Sequence, residues 1–143
     1  MYYDGSNLDK FVNAQSRDYA TALGEIRNGR KRSHWIWYIF PQMQGLGMSS
    51  TANYYGIRDL EEAKDYMAHP VLGPRLIEIS EALLALDCSD PGAVMGFPDD
   101  LKLCSSMTLF ELAAPEEKVF SKVLEKFYHG RRDQNTLRIL GIR

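Results

Sequence analysis

Residues 33–42 read SHWIWYIFPQ and constrain the fold more than any other stretch of the chain. The apolar run 35–40 is strand-like in composition, yet it does not alternate between apolar and polar residues. No other segment offers a convincing strand partner, and a lone strand leaves its backbone hydrogen bonds unmade. We therefore predict a buried helical turn or two that ends at Pro41, although periodicity alone leaves a buried strand open.

Segments on both sides of this stretch follow helical periodicity. One stripe places apolar residues at steps of four and three: Leu72, Leu76, Ile79, Leu83 and Leu86. Such a stripe is typical of the buried face of a helix. Similar patterns occur over residues 8–12, 19–26, 60–67, 107–112, 120–127 and 137–140. We therefore predict a mainly α fold, a single-domain orthogonal bundle of about six to eight helices.

Capping residues indicate where these helices begin and end. The predicted N-caps are Asp59, Asp133 and either Ser105 or Ser106, and the predicted stops are Gly29, Gly130 and Gly141. A serine cap would start one helix near Met107. Pro115 suits the first turn of the next helix, because its missing N–H costs nothing there.

Size and composition fit one globular domain. The chain has 143 residues, of which 45% are hydrophobic and 25% charged, so it can bury a core without disulfides or a metal. No internal repeat or linker divides it, and we predict a single domain over residues 1–143. The net charge of −2 gives no global field toward nucleic acid or an anionic membrane.

The N-terminus and the few cysteines indicate where the protein resides. The first ten residues have neither the basic start nor the apolar run of a signal peptide. The run 35–40 is far shorter than the roughly 20 residues of a membrane helix. Cys88, Cys104 and three scattered histidines lack the spacing of a metal site. We expect a soluble cytoplasmic protein with reduced thiols, without a metal or a resident cofactor.

Several motifs follow residues 33–42 in a fixed order. They are GLG at 45–47, HPVLGPRL at 69–76, FPDDLK at 97–102 and SSMTLF at 105–110. Together they closely resemble the bacterial and fungal family called domain of unknown function 1810, whose members have been labelled calpastatin in genome annotation. The resemblance covers nearly the whole chain and implies a small α-helical protein with no established reaction. An ordered aromatic core is unlike a disordered protease inhibitor.

The C-terminal third carries a second resemblance. Met107, the pair Lys126-Phe127 and residues 136–140 are similar to the layout of helical N-glycosidases that act on riboflavin-pathway intermediates and ADP-ribose adducts. Those enzymes carry a glutamate in an aromatic/His/Gln motif, whereas residues 34–42 contain no acid. The resemblance therefore implies catalysis only where another carboxylate joins His34.

The aromatic stretch supplies the first candidate site. The predicted ligand-binding residues are Ser33, His34, Trp35 and Gln42. A flat aromatic face can stack on a nucleobase, His34 can transfer protons near neutral pH, and Gln42 can pair with an amide or a ring edge. Trp37, Ile39 and Phe40 are expected to build the core. The alternative is that the whole stretch is core, with His34 at its rim.

Two charged segments extend this site. The basic cluster Arg27, Arg30, Lys31 and Arg32 precedes it, and Arg32 could hold a phosphate through bidentate contacts. The alternative is a solvated helix end. The segment with Asp99, Lys102 and Ser105 could bind an anion at a helix start, with Asp99 as a general base. The alternative there is ordinary turn and cap chemistry.

Three functions remain open. The first is a protein that binds a small planar or phosphorylated, nucleotide-like ligand in an aromatic pocket. The second is an N-glycosidase-type hydrolase of a ribosyl compound, with His34 and Asp99 as catalytic candidates. The third is a protein-interaction domain without a pocket. A cleft that joins His34 to a carboxylate would favour the second, and an exposed apolar patch the third.

Overall fold

Nine helices make up the regular structure of residues 6–142, the part of the chain described by a computed structural model. They are α1 (Ser6–Arg27), α2 (Ile36–Ile39), α3 (Ser50–Tyr55), α4 (Leu60–Ala68), α5 (Leu72–Leu84), α6 (Pro91–Met95), α7 (Asp99–Ala113), α8 (Val119–Tyr128) and α9 (Gln134–Ile139). The described residues contain no strand beyond an isolated bridge between Met43 and Ile57. The predicted all-α class is therefore confirmed.

The aromatic stretch forms the short helix α2. A helical turn was predicted here because no other segment offered a strand partner. The N–H of Phe40 donates to the carbonyl of Ile36 at 3.1 Å, which closes this single turn. The chain then becomes extended, and its backbone bonds to residue 57 instead. The N–H of Ile57 donates to Gln42 O at 2.9 Å, and the N–H of Gln44 donates to Ile57 O at 2.8 Å. This pairing positions Gln42 at the start of the loop before α3.

Helix α7 lies at the centre of the molecule, in contact with α2, α4, α6, α8 and α9. It is buried along most of its length, through Leu103, Ser105, Ser106, Met107, Thr108, Leu109, Phe110 and Ala113. Two of its hydroxyl groups bond within the helix. Ser105 Oγ donates to Leu101 O at 3.1 Å, and Thr108 Oγ1 donates to Cys104 O at 2.8 Å. Such bonds to the preceding turn allow polar residues in a buried helix.

The predicted beginnings of two helices are wrong. Helix α7 begins at Asp99, so Ser105 and Ser106 lie in its interior and do not cap it. The helix N–H groups next to Ser105 are therefore engaged within the helix, and they offer no anion site there. Residues 115–118 form a turn, and α8 begins only at Val119.

Other predicted helix ends are confirmed. The side chain of Asp59 accepts from the N–H of Glu62 at 2.8 Å, and that of Asp133 accepts from the N–H of Thr136 at 2.9 Å. Gly29, Gly130 and Gly141 follow helices at positive φ. Two short helices, α3 and α6, were not predicted because each is too short to show an amphipathic repeat.

The apolar stripe of α5 joins the core, where Leu72, Leu76, Ile79 and Leu83 are all buried. Gly73 lets this helix approach α4 closely, since a Cβ there would lie 2.2 Å from the carbonyl oxygen of Met67. At the other end of α5, Lys126 Nζ donates to the carbonyls of Leu83 and Leu84. A cation at the last carbonyls of a helix stabilises the helix end. Among residues 6–142, every helix is too short or too polar to span a bilayer.

Candidate functional site

Glu25 on α1 organises the segment that leads into the aromatic stretch. Its Oε1 accepts from the backbone N–H groups of Arg32 at 2.7 Å and Ser33 at 3.0 Å, and from Trp35 Nε1 at 2.9 Å. Its Oε2 accepts from Ser33 Oγ at 2.5 Å. Burial acts to raise the pKa of Glu25, but the bonds from Ser33, Arg32 and Trp35 outweigh it and lower that pKa to about 2.

The two tryptophans differ in burial from what the sequence predicted. Trp35, predicted to offer a stacking face, is only 1% exposed, and its one polar atom is bonded to Glu25. A ligand therefore has no open face of this ring to stack on. Trp37, predicted to be core, is partly exposed, and Lys102 Nζ lies 5.3 Å from its ring centroid.

A row of alternating charges connects these two rings. Lys31 Nζ lies 4.9 Å from the Trp35 ring centroid and 2.8 Å from Asp99 Oδ2. Asp99 Oδ1 lies in turn 3.5 Å from Lys102 Nζ. The Lys31 side chain is only 6% exposed, so it serves to hold the start of α7 and is not available to a ligand. Two ammonium groups share one carboxylate here, so Lys31, Asp99 and Lys102 together carry a net charge of +1.

A groove of about 410 Å³ opens next to Lys102, between the loop after α2, the first half of α7 and the start of α9. We call it the α7–α9 groove. It is lined by Gln42, Leu46, Gly47, Pro98, Leu101, Lys102, Ser105, Asp133 and Asn135. Three residues predicted to bind a ligand, Gln42, Lys102 and Ser105, thus meet in one concave site although they are far apart in the chain.

Gln42 is the most unusual residue of this groove. It is 8% exposed, and its side-chain amide makes no hydrogen bond to any residue from Leu8 to Ile142. The amide atoms of Gln42 are not fully buried. Among the described residues, Ser106 Oγ is the only side-chain N or O atom that is both fully buried and without a hydrogen-bond partner. Gly47 lies next to the amide and has no side chain. A Cβ at this position would lie 2.5 Å from Ala52 Cβ and 3.5 Å from Gln42 Nε2.

The far end of the groove carries a carboxylate. Asp133 Oδ2 accepts from Thr136 N–H and Thr136 Oγ1 as the N-cap of α9. Cys104 lies close to this end, and burial together with the Asp133 charge raises the pKa of its thiol to about 11. The thiol therefore stays protonated at neutral pH and is not a nucleophile.

The predicted site at 32–34 does not form part of the groove. Arg32 and His34 are exposed, while Ser33 is engaged with Glu25. Asp99, the predicted base, is bound between Lys31 and Lys102 and does not line the groove. The arrangement that would favour a hydrolase, His34 and a carboxylate in one cleft, is therefore not the arrangement of the α7–α9 groove.

A second cavity, of about 780 Å³, lies between the turn at 115–118, the start of α9 and Ile142. Glu111 and Arg132 form a two-point ion pair in its wall, with Nη2 of Arg132 2.8 Å from Oε2 of Glu111. This pairing matches the charges of Glu111 and Arg132 to each other. No group of three or more His, Cys, Asp or Glu side chains among the described residues is arranged to hold a metal ion.

The sequence analysis missed three features of this region: the role of Glu25, the structural role of Lys31, and the position of Asp133 in the groove. The spacing of Glu25 from residues 32–35 carries no recognised motif, because the contact forms where the chain turns back after Gly29. Asp133 was correctly predicted as an N-cap. Its position in the groove follows from the packing of α9 on α7, which no local pattern reports.

The chain is similar over nearly its whole length to one family and to one solved structure. Residues 5–140 match the family described as "Protein of unknown function (DUF1810)". The crystal structure of the conserved hypothetical protein Rv1873 from Mycobacterium tuberculosis is 44% identical in sequence and superimposes with a TM-score of 0.94. The match covers 98% of this chain and 100% of that one. No curated protein matches. The family resemblance inferred from residues 33–110 is thereby confirmed.

Proposed function

We propose a ligand-binding function for this chain, which belongs to the family of proteins of unknown function DUF1810. The α7–α9 groove binds a small nucleotide-like molecule, with the phosphate at Lys102. The observation that carries the proposal is the shared carboxylate, because Lys31 and Lys102 both pair with Asp99 and one positive charge is left over. That charge lies at the edge of a groove with an apolar wall, which suits a ligand that is part ring and part anion.

The dimensions and lining of the groove support such a ligand. Its volume of about 410 Å³ lies within the range of small-molecule sites. Leu46, Pro98 and Leu101 supply apolar surface, and Ser105, which is 6% exposed, adds a hydroxyl group that donates to Leu101 O. Apolar walls with a few polar groups are the usual composition of a ligand pocket.

The charges of the groove also indicate how the ligand would lie. The carboxylate of Asp133 repels a phosphate, so the phosphate belongs at the Lys102 end. A carboxylate is a good acceptor for sugar hydroxyl groups. We therefore place the ribose hydroxyls toward Asp133 and the phosphate toward Lys102. Hydrolysis is not part of the proposal, since Asp99 is held by two lysines and His34 lies outside the groove.

We expect the Lys102→Met substitution to weaken binding of adenosine or uridine 5′-monophosphate by at least about tenfold. Loss of one charge-assisted hydrogen bond costs about 1.5–3 kcal/mol, and 1.4 kcal/mol is tenfold in Kd. Isothermal titration calorimetry at low and high salt measures the change. The salt dependence of the Kd should shrink in the variant, because the phosphate contact is electrostatic.

The matched control is Lys122→Met, which removes an exposed lysine on α8 that does not line the groove. The control should leave the Kd unchanged. The proposal is wrong if neither nucleotide nor ADP-ribose binds at millimolar concentration, or if the two variants lose the same affinity.

A further inference from the structure

We infer that the α7–α9 groove selects planar heterocycles whose edge presents a hydrogen-bond donor beside an acceptor, and that Gln42 pairs with that edge. The inference rests on the proposed function and deepens it. It assigns the ring-recognition step to one side chain and names the class of ring. Adenine, uracil and other rings with an amide or amidine edge belong to this class.

The state of the Gln42 amide carries the inference. A buried polar side chain is nearly always hydrogen-bonded to the protein or to water. Gln42 is 8% exposed and lines the groove, yet its amide makes no hydrogen bond to residues 8–142. The buried Gln15, by comparison, donates to Tyr38 O at 2.7 Å and to Tyr66 at 3.0 Å. The chain thus satisfies one buried glutamine fully and leaves the amide of the other to the groove.

The chemistry of an amide determines what it can bind. Its Oε1 accepts and its Nε2 donates, side by side in one plane. The matching ligand edge has a donor next to an acceptor, as in N3–H and O4 of uracil or N6–H and N7 of adenine. The apolar residues Leu46 and Leu101 in the same groove offer surface to the faces of such a ring.

Two nucleotides that differ only in whether a methyl group covers the hydrogen-bonding edge of the ring test the inference directly. The probes are uridine 5′-monophosphate against 3-methyluridine 5′-monophosphate, with ribose 5-phosphate as the ring-free control. The methyl group removes the donor and keeps the ring and the phosphate. We expect the wild-type protein to bind the unblocked nucleotide at least about fivefold more tightly, the lower end of the range for a bidentate pair.

The Gln42→Met variant should lose this preference and bind the two nucleotides equally, while its affinity for ribose 5-phosphate stays the same. It should also unfold at about the same urea concentration, because the amide opens to the groove and its replacement removes no hydrogen bond to residues 8–142. A lower unfolding midpoint would mean that the amide has a structural partner, and it would overturn the inference.

Two further outcomes separate the inference from the proposed function. Equal binding of blocked and unblocked nucleotides by the wild type, with Lys102→Met still weaker, overturns the role of Gln42 and leaves the phosphate site intact. Absence of binding by all three probes overturns both.

Discussion

Replacing Trp35 with alanine is expected to lower the free energy of unfolding by about 3–5 kcal/mol. The ring is 1% exposed, lies 6.2 Å from the Phe40 ring between centroids, and has Lys31 Nζ 4.9 Å from its own centroid. Its loss leaves a cavity, removes the Nε1 donor from Glu25, and takes the aromatic face away from a nearly buried ammonium group. Urea unfolding followed by circular dichroism measures the change.

Trp37→Ala is the matched control for this substitution. Trp37 is partly exposed on the same helical turn, so its removal should cost about 1–2 kcal/mol, near the ordinary range for point substitutions. If Trp37→Ala lowers the free energy of unfolding as much as Trp35→Ala does, Trp35 is not the more buried and stabilising of the two rings.

Replacing Glu25 with alanine is expected to cost about 2–3 kcal/mol at neutral pH, because bonds to a charged group contribute about 1.5–3 kcal/mol and several donors lose their acceptor together. The affected donors are Arg32 N–H, Ser33 N–H, Ser33 Oγ and Trp35 Nε1. Glu25→Gln should be milder, since an amide oxygen still accepts from the N–H groups.

The wild type and the Glu25→Gln variant should also differ in how their stability depends on pH. The pKa of Glu25 is about 2 in the folded protein, against 4.5 as the ordinary value. A depressed pKa contributes stability that is full above about pH 4.5 and is lost as the pH falls toward 2. The difference in unfolding free energy between wild type and Glu25→Gln should therefore shrink between pH 6 and pH 3.

Glu61→Gln provides the control for the pH experiment. The Glu61 side chain is 80% exposed and meets only Lys64, so this substitution should leave the pH curve of the wild type unchanged. Parallel curves for wild type and Glu25→Gln between pH 6 and pH 3 would contradict the role of Glu25.

Helices with one buried face were predictable from the sequence. The stripe of α5 and the caps Asp59 and Asp133 each follow from a local rule that needs no knowledge of the rest of the chain. The turn at residues 36–39 followed from the absence of a strand partner. Helix α7 was placed too late, because a helix that is buried on several faces shows no amphipathic pattern from which to find its start.

The candidate site was predictable only in part. Gln42, Lys102 and Ser105 were identified as polar residues next to aromatic or turn segments, and all three line the groove. The roles of Trp35 and Trp37 could not be separated, because both lie in one continuous apolar run without periodicity. Glu25 contacts Trp35 and Lys102 contacts Trp37, each from another helix that no local pattern relates to this run.

The central claim is that the α7–α9 groove binds a nucleotide-like ligand, and backbone amide chemical shifts during a titration with uridine 5′-monophosphate test it most directly. The account predicts shift changes concentrated at residues 42–47, 101–105 and 133–135, with saturation that gives a Kd. Shift changes that are absent, or that centre on Glu111 and Arg132 in the second cavity, would contradict it.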